Sequence, residues 1–494
     1  MRATARRLVV LLAVTAAALV AAVPSQAATT YTLIGHGWGH GIGLSQWGAY
    51  GFASHGWTYR QILAHYYTGT AIDQSPLGFT ERVAMMDGRQ TVHFGASAKM
   101  DVVAEGDGTT ASLPAGSYRI EAGVTAGYER IWNTTSNTIL LSGLAAPVKI
   151  IPSTAPLLLV EPSYRGFAND HWHGQLRFLL SGGNVRPVNI VSLDNYARGI
   201  VPCEESPSWP IEALKAQAVA ARSYAYRTRN TDQSISAIDT KADVANQTYC
   251  PIEREGTASA SAVAATSREI VTYQGSVAAT FYSASSGGRT SSMQASWGSS
   301  FGYPYLVPVT DRWDGAGGAN PNHTWKPVVY GPIELARKFG LNGSVSAVDQ
   351  TINEPSQRVT SLVIHRKGFA PLTRTSGQAF SALGLRSTYF RLLGVTLTPP
   401  ASVVKGRNFT ITGRVWPRPT TKVLLQYHAD GVSSWTTAGT PLKVAANGTF
   451  SVVRHQSAPH SFRVVRNSAV SPVVRVGIHA AKMAPPSSGL RTWA

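Results

Sequence analysis

Apolar residues recur along this chain at two different periods, and the period changes with position. Between residues 31 and about 70, Tyr59, Ile62, Leu63 and Tyr66 form a helical stripe; Thr58 and Gln61 have capping-box spacing, and Gly69 supplies a stop. From Glu81 to Asn189 the spacing shortens to alternation. Runs such as "KMDVVAE", "GSYRIEAG" and "GQLRFLL", separated by Gly-rich turns, predict strands. The helical period returns in "SLDNYARGI", a short capped helix over Ser192 to Ile200, and most clearly in "SWPIEALKAQAVAARSYAYRTR". There Pro210 suits a first turn, and Ile211, Leu214, Ala218, Ala221 and Ala225 make an alanine-rich face fit for close packing. "TASASAVAATS" predicts a second small-residue helix. "EIVTYQGSVAATFYSASSGGRTSS" predicts a hairpin turning at Gly275-Ser276 and running into a Ser/Gly loop. A helix around Ile333 to Phe339 and strands through His365 lead to "SGQAFSALGLRSTYFRL", ending near Leu393. "LTPPASVVKG" then reads as a linker, and the short strands after it have the spacing of an immunoglobulin-like sandwich over 395–479. Residues 480–494 are Pro/Ser-rich and predict a disordered tail.

Composition narrows the class. Arg2, Arg6 and Arg7, the apolar run from Leu8 to Val23 and the small residues around Ala27 predict a signal peptide over 1–27. No later stretch approaches the roughly 20 apolar residues of a spanning helix. The expected product is secreted, either extracellular or associated with the cell wall. Export favours a disulfide between Cys203 and Cys250, the two cysteines of the chain, over a metal site. The net charge of +18 is uneven: residues 395–494 hold twelve Lys or Arg against the single acid Asp430. Anionic polymers of a cell envelope are the partner this charge suits, although a basic surface that merely aids solubility has the same composition. Export argues against nucleic acid.

Three stretches carry candidate chemistry. In "GHGWGHGIGLSQWGAYG", Gly35 to Gly51, glycines alternate with His36, Trp38, His40, Ile42 and Leu44. An extended chain would present one bare face and one side-chain face. The glycines between His36 and His40 argue against a helical metal pair. Glu204 and Glu205 read as loop residues ahead of the alanine-rich helix, where they either complement its positive end or supply one working carboxyl. Adjacent residues point apart, so they do not make a hydrolase pair. "FYSASSGGRTSS", Phe281 to Ser292, is either a sugar-binding loop or an ordinary one. A third class, a metal-dependent hydrolase using His36, His40, His171 and His173, is weaker, because "DHWHG", Asp170 to Gly174, reads as a turn with exposed aromatics.

Together "LDNYARGIVPCEESPSWPIEALKAQAVAARSYAY", "FYSASSGGRTSSMQASWGSSFGYPYLVPVTD", "SGQAFSALGLRSTYF" and "GHGWGHGIGLSQWGAYGFASHGWTYRQILAHYYTGT" resemble the SpoIID/LytB family of peptidoglycan proteins, over most of Tyr31 to Leu393. The resemblance implies an α+β fold: a mixed helix and sheet core over 31–394, followed by the all-β module. The core divides into a glycine-rich motif segment (31–70), a β-rich segment (81–190) and a catalytic helix and hairpin segment (191–394). It also implies a lytic transglycosylase that cleaves MurNAc-GlcNAc strands to 1,6-anhydro-muramyl products without a cofactor or metal. Glu204 matches the family's general acid/base. Glu205 stands where methionine is usual and is expected to face solvent or a basic partner, while Trp209, Ile200 and Val201 are expected to shelter Glu204. His40, Ser45, Gln46, Lys215, Gln217, Arg222, Ser223, Tyr224, Ser283, Ser285 and Ser286 are the expected glycan-groove residues. A Cys203–Cys250 bridge would staple the Glu204 loop to "NQTYCP". The family also includes enhancers of cell-wall amidases, which makes a non-catalytic glycan-binding partner the alternative, and sporulation is one setting. In the family's familiar order the glycine segment follows "LGLxSxxF", whereas here it comes first. The order looks circularly permuted, and the segment is expected to belong to the core rather than to fray.

Overall fold

The computed structural model describes residues 28–229, 234, 237–243, 246–417, 422–467 and 469–480; the expected signal peptide and nearly all of the expected tail lie outside them. The fold is α+β. Its helices are α1 (Gln46–Ser54), α2 (Tyr59–Tyr66), α3 (Leu193–Glu204), α4 (Ile211–Thr228), α5 (Thr257–Ala265), α6 (Met293–Trp297), α7 (Pro332–Lys338) and α8 (Ser376–Leu383). The capping box expected at α2 is present, with Thr58 and Gln61 exchanging bonds.

The alanine-rich α4 is the centre of the molecule. Ala213, Ala216, Val219 and Ala220 pack against Ile42, Leu44, Phe52, Ile62 and Tyr66 of the first segment. Ala221 and Ala225 enter the core of the β-rich segment beside Phe94, Phe178, Tyr196 and Tyr249. Leu214 and Ala218 meet α3 and α5 through Ala197, Val201 and Val263. A helix packed on several sides leaves little room for large side chains at its contact positions, and six of its eighteen residues are alanine. The β-rich segment supplies one wall: a six-stranded and a seven-stranded sheet enclose Phe94, Tyr118, Trp172 and Phe178.

A five-stranded sheet runs in the order Val328–Tyr330, Ala28–Gly35, Phe390–Thr398, Asn408–Trp416, Thr449–His455. The strand Phe390–Thr398 therefore crosses the expected boundary at 394, pairing with Ala28–Gly35 on one edge and with Asn408–Trp416 on the other. The expected linker begins inside a strand, because Val395 and Leu397 bury their side chains in the C-terminal core with Ile411, Leu425 and Phe462. The glycine segment also departs from expectation. From His36 to Gly43 it is not a strand, only the two residues Leu44–Ser45 pairing in parallel with Tyr282–Ser283, and Gly41 and Gly43 sit at φ of +69° and +70°. A Cβ at Gly41 would lie 1.9 Å from the Arg358 guanidinium, and one at Gly43 would lie 2.2 Å from the Phe281 carbonyl oxygen. Left-handed backbone and close approach both require glycine there. Among the described residues no helix is long and apolar enough to cross a membrane.

Candidate functional site

Glu204 is the last residue of α3, not a loop residue. The helix starts at an N-cap, Ser192, and runs through Pro202, past the expected end at Ile200. Its course is fixed from the far end. Arg222 of α4 is fully buried, bonds Asp194 in the first turn of α3 (2.6 Å), and reaches Val263 and Thr266 at the end of α5. Its expected place in the glycan groove is thus corrected, since it positions α3. At the other end Cys203 is disulfide-bonded to Cys250, and the Cys250 N–H donates to the Gly199 carbonyl. This anchors the chain beside Thr248, whose N–H donates to Glu204 Oε1 (2.9 Å). Glu204 Oε2 accepts from Gln46 Nε2 (3.2 Å), at the start of α1. Residues 158 apart in sequence thus meet on one carboxylate.

Glu204 opens into a cleft of about 530 Å³. Trp38, His40 and Gln46 come from the glycine segment, Tyr224 from α4, Asn246 and Thr248 from the disulfide-anchored stretch, and Phe281 to Ala284 and Trp297 from the opposite wall. Glu204 is the one acid among these residues. The His40 ring lies 5.1 Å from Trp297 and 6.2 Å from Phe281, and its Nδ1 accepts from the Ile42 N–H. Burial, reinforced by the charge of Arg358, pushes the imidazole down to about 4, so it is neutral near pH 7. Burial and then the charge of Glu204 push the Tyr282 phenol up, and its hydroxyl accepts from Gln247 (3.0 Å). The cleft therefore offers aromatic faces, neutral hydrogen-bonding groups and a single carboxyl, a lining suited to an uncharged polyhydroxylated chain.

Of the expected groove residues, His40, Gln46, Tyr224 and Ser283 line this cleft. Ser45, Ser285 and Ser286 do not. They are buried behind it, around Asp314, which accepts from Ser45 Oγ (2.7 Å), Ser285 Oγ (2.8 Å), the Ser286 N–H (2.9 Å), Asn320 and His323 Nδ1 (2.8 Å). Ser286 Oγ donates to the neighbouring Asp311 (2.8 Å). Burial opposes ionisation of Asp314, but bonds from His323, Ser45 and Ser285 outweigh it and hold the carboxyl below its ordinary range. Asp311, buried beside that charge, is pushed up to about 7. The three serines thus clamp the glycine segment to the Ser/Gly loop instead of meeting ligand. Ser223 is also structural, donating to the Val219 carbonyl and accepting from the Val271 N–H. Lys215 bonds Glu212 on the α2 side of α4, and Gln217 is fully buried.

Two further expectations are overturned. Glu205 faces neither solvent nor a base: it is 3 % exposed and neither carboxyl oxygen has a hydrogen-bond partner among the described residues. Burial, then the charge of Glu204, pushes its carboxyl well above the usual range. "DHWHG" is no exposed turn, because Asp170–Trp172 is a strand with Trp172 buried, and His171 and His173 pair with Glu253 and Glu255. Among the described residues no cluster of three or more His, Cys, Asp or Glu is placed to hold a metal. Trp209 turns its ring to Trp47 (4.8 Å) and Tyr50 (5.2 Å), while Ile200 and Val201 are fully buried.

Sequence reasoning did not single out Trp38, Asn246, Thr248, Phe281, Tyr282 or Trp297 as ligand-facing. For Trp38, Phe281, Tyr282 and Trp297 the signal was adjacency to glycine- and serine-rich motifs, which shows that a loop is unusual but not which side chains turn toward a ligand; Asn246 and Thr248, in "ADVANQTYCP", had only nearness to Cys250.

Residues 181–273 match the family model described as SpoIID, Stage II sporulation protein. That span contains Glu204 and α4, and the glycine segment lies outside it. The chain is 37% identical over 138 residues to an uncharacterized protein of Brachyspira hyodysenteriae (28% of this chain, 37% of the relative). It is 29% identical over 198 residues to Stage II sporulation protein D of Bacillus subtilis (36% and 55%). It is 36% identical over 117 residues to the Amidase enhancer of Bacillus subtilis (24% and 15%). The matches thus span between about a seventh and about half of the length of these relatives. No solved structure matches the chain.

Proposed function

The chain carries a domain of the SpoIID/LytB family, and from that premise we propose that it is a secreted, wall-associated lytic transglycosylase acting on the glycan strands of peptidoglycan. The family and its relatives support a role in cell-wall remodelling. The observation that carries the finer reading is Glu204, the one acid on an aromatic-lined cleft, held between Gln46 and the Thr248 N–H. Hydrolysis by a carboxyl pair asks for a second acid about 5–9.5 Å away, positioned for attack or for activating water. A transglycosylase needs one. The Glu204 carboxyl gives its proton to the glycosidic oxygen as the bond from the muramyl C1 breaks. The C6 hydroxyl oxygen of the same sugar then bonds to C1, and its proton returns to the Glu204 carboxylate. Nothing else is consumed. In this scheme Trp38, Tyr224 and Trp297 offer faces to the sugar rings, and Gln46, Asn246 and Ser283 meet hydroxyl and acetamido groups. The immunoglobulin-like reading of residues 395–479 makes that module an accessory unit, joined to the catalytic one through a shared strand.

Purified glycan strands, with and without stem peptides, test the scheme. We expect 1,6-anhydro-muramyl ends to accumulate, and Glu204→Gln to reduce their rate at least about a hundredfold with unaltered glycan binding. Similarity to a protein named Amidase enhancer supports a second reading, a glycan-binding stimulator of another hydrolase. Intact strands, retained binding and a faster amidase in mixture would select it.

A further inference from the structure

We propose that the outer face of the C-terminal sheet is a binding site for a linear polymer bearing repeated oxyanions, separate from the Glu204 cleft and independent of the reading given to it. Strand register builds the site. Thr396, Arg414 and Thr449 lie opposite one another across three strands, and Thr398, Thr412 and Ser451 form the next row. Side chains two residues apart share a face, so these six stand on one side of the sheet while Val395, Leu397, Ile411 and Phe450 fill the core on the other. Thr29 extends the first row, its hydroxyl bonding that of Thr396 (2.8 Å).

These residues and Lys443 line an open groove of about 750 Å³ with no acidic side chain in its lining. The guanidinium of Arg414 is oriented, because its Nε donates to the Asn447 carbonyl (3.3 Å) and it lies over the Trp416 ring (5.4 Å). Among the described residues its terminal nitrogens make no hydrogen bond, and Lys443 makes no ion pair. Asp430, the lone acid of residues 395–494, is taken by Arg475 (2.6 Å). The Thr412 hydroxyl donates to the Thr398 carbonyl (3.2 Å), that of Thr449 to Asn447 Oδ1 (2.6 Å), and that of Thr396 is shared with Thr29, so the groove presents two uncompensated cations and, from Thr398 and Ser451, two hydroxyl donors beside them. Oxyanions accept from both kinds of donor. Two cations bind one isolated anion weakly at physiological ionic strength, whereas a repeating chain engages both cations and the hydroxyls of Thr398 and Ser451 together. Phosphodiester and carboxylate polymers share this chemistry.

The test uses the full chain with immobilised poly(glycerol phosphate), polygalacturonate and neutral dextran, measured across a salt series. We expect binding to at least one anionic polymer and none to dextran. The polymer that binds, or binds more tightly, identifies the oxyanion. Arg414→Ala with Lys443→Ala should weaken binding about tenfold and flatten the salt dependence by about two charges. Thr398→Val with Ser451→Ala should weaken it several-fold at unchanged salt slope. The control, Lys405→Ala with Arg407→Ala, removes equal charge from beyond the far end of the Asn408–Trp416 strand and should change affinity less than about twofold. Loss of binding equal in both charge-removal pairs would overturn the site in favour of diffuse charge. Failure to bind either anionic polymer would overturn it outright.

Discussion

Replacing Glu205 by glutamine tests the electrostatic account of the site, because the two residues differ at neutral pH only if the glutamate ionises somewhere. In the folded chain Glu205 is buried with no partner for either oxygen, and the amide of fully buried Gln217 likewise lacks one among the described residues. Desolvation, then the charge of Glu204, keeps the carboxyl protonated well above its ordinary range. In the unfolded chain it titrates near the usual 4.5. Above that pH the unfolded state has lost a proton that the folded state retains, so stability falls as pH rises. The slope is about 1.4 kcal/mol per pH unit until the folded group itself ionises. Glu205→Gln has nothing to ionise and lacks this slope. The variant should match the parent near pH 4 and gain on it by about 1.4 kcal/mol per unit above pH 5. Glu129, pushed up to about 8 by burial, and Asp311, at about 7, add slopes of their own, but these cancel between parent and variant. Urea unfolding of both proteins at pH 4, 5, 6 and 7, disulfide intact, measures the difference. A stability gap that stays flat from pH 4 to 7 would show that Glu205 ionises normally and would refute the buried, neutral assignment.

The disulfide and the cleft lining give further expected outcomes. Cys203→Ser with Cys250→Ser opens a bridge between residues 47 apart, a loss of about 4 kcal/mol on chain-entropy grounds, and should lower glycan cleavage by freeing Thr248 from Glu204; unchanged activity in the reduced protein would separate bridge from site. Asp314→Asn removes the charge that Ser45, Ser285 and His323 surround and should destabilise by about 3–5 kcal/mol in thermal unfolding, with a shift below 1 kcal/mol counting against the clamp. Trp38 is 50% exposed at the cleft mouth and backed by Arg386 at 5.2 Å. Trp38→Ala should raise KM about tenfold with kcat little altered, and a kcat loss at constant KM would give the ring a different role.

What the sequence revealed was set by local physics. The α2 capping box and the alanine period of α4 are local signals, and both appear where expected. Glu204 reads as a loop residue among Pro, Ser and Cys, yet packing of Val201 and the bond from the Glu205 N–H to the Val201 carbonyl carry α3 past Pro202. Whereas Ser283 of the Ser/Gly loop lines the cleft, Ser45, Ser285 and Ser286 depart from the expected groove for a different reason. Their partners Asp311 and Asp314 are distant in sequence from Ser45, and a hydroxyl aimed at a buried carboxylate looks, in one dimension, like a hydroxyl aimed at a sugar.

The order of the motifs makes the same point at larger scale. Gly35 pairs with Phe390 in the five-stranded sheet, the His36 N–H donates to the Tyr389 carbonyl, and Ser387 Oγ donates to the His36 carbonyl across 351 residues of sequence. The start of the glycine segment therefore lies beside the end of "LGLRSTYF", where a chain in the familiar order would pass directly from one to the other. The segment's contacts are with Ser283, Ser285, Arg358 and Glu204, all distant from it in sequence. The strand Ala28–Gly35, bonded along both edges, fixes the start of the segment in the sheet. Gln46 thereby reaches Glu204 across 158 residues of sequence, and the contact is set by the sheet that holds the glycine segment rather than by nearness along the chain.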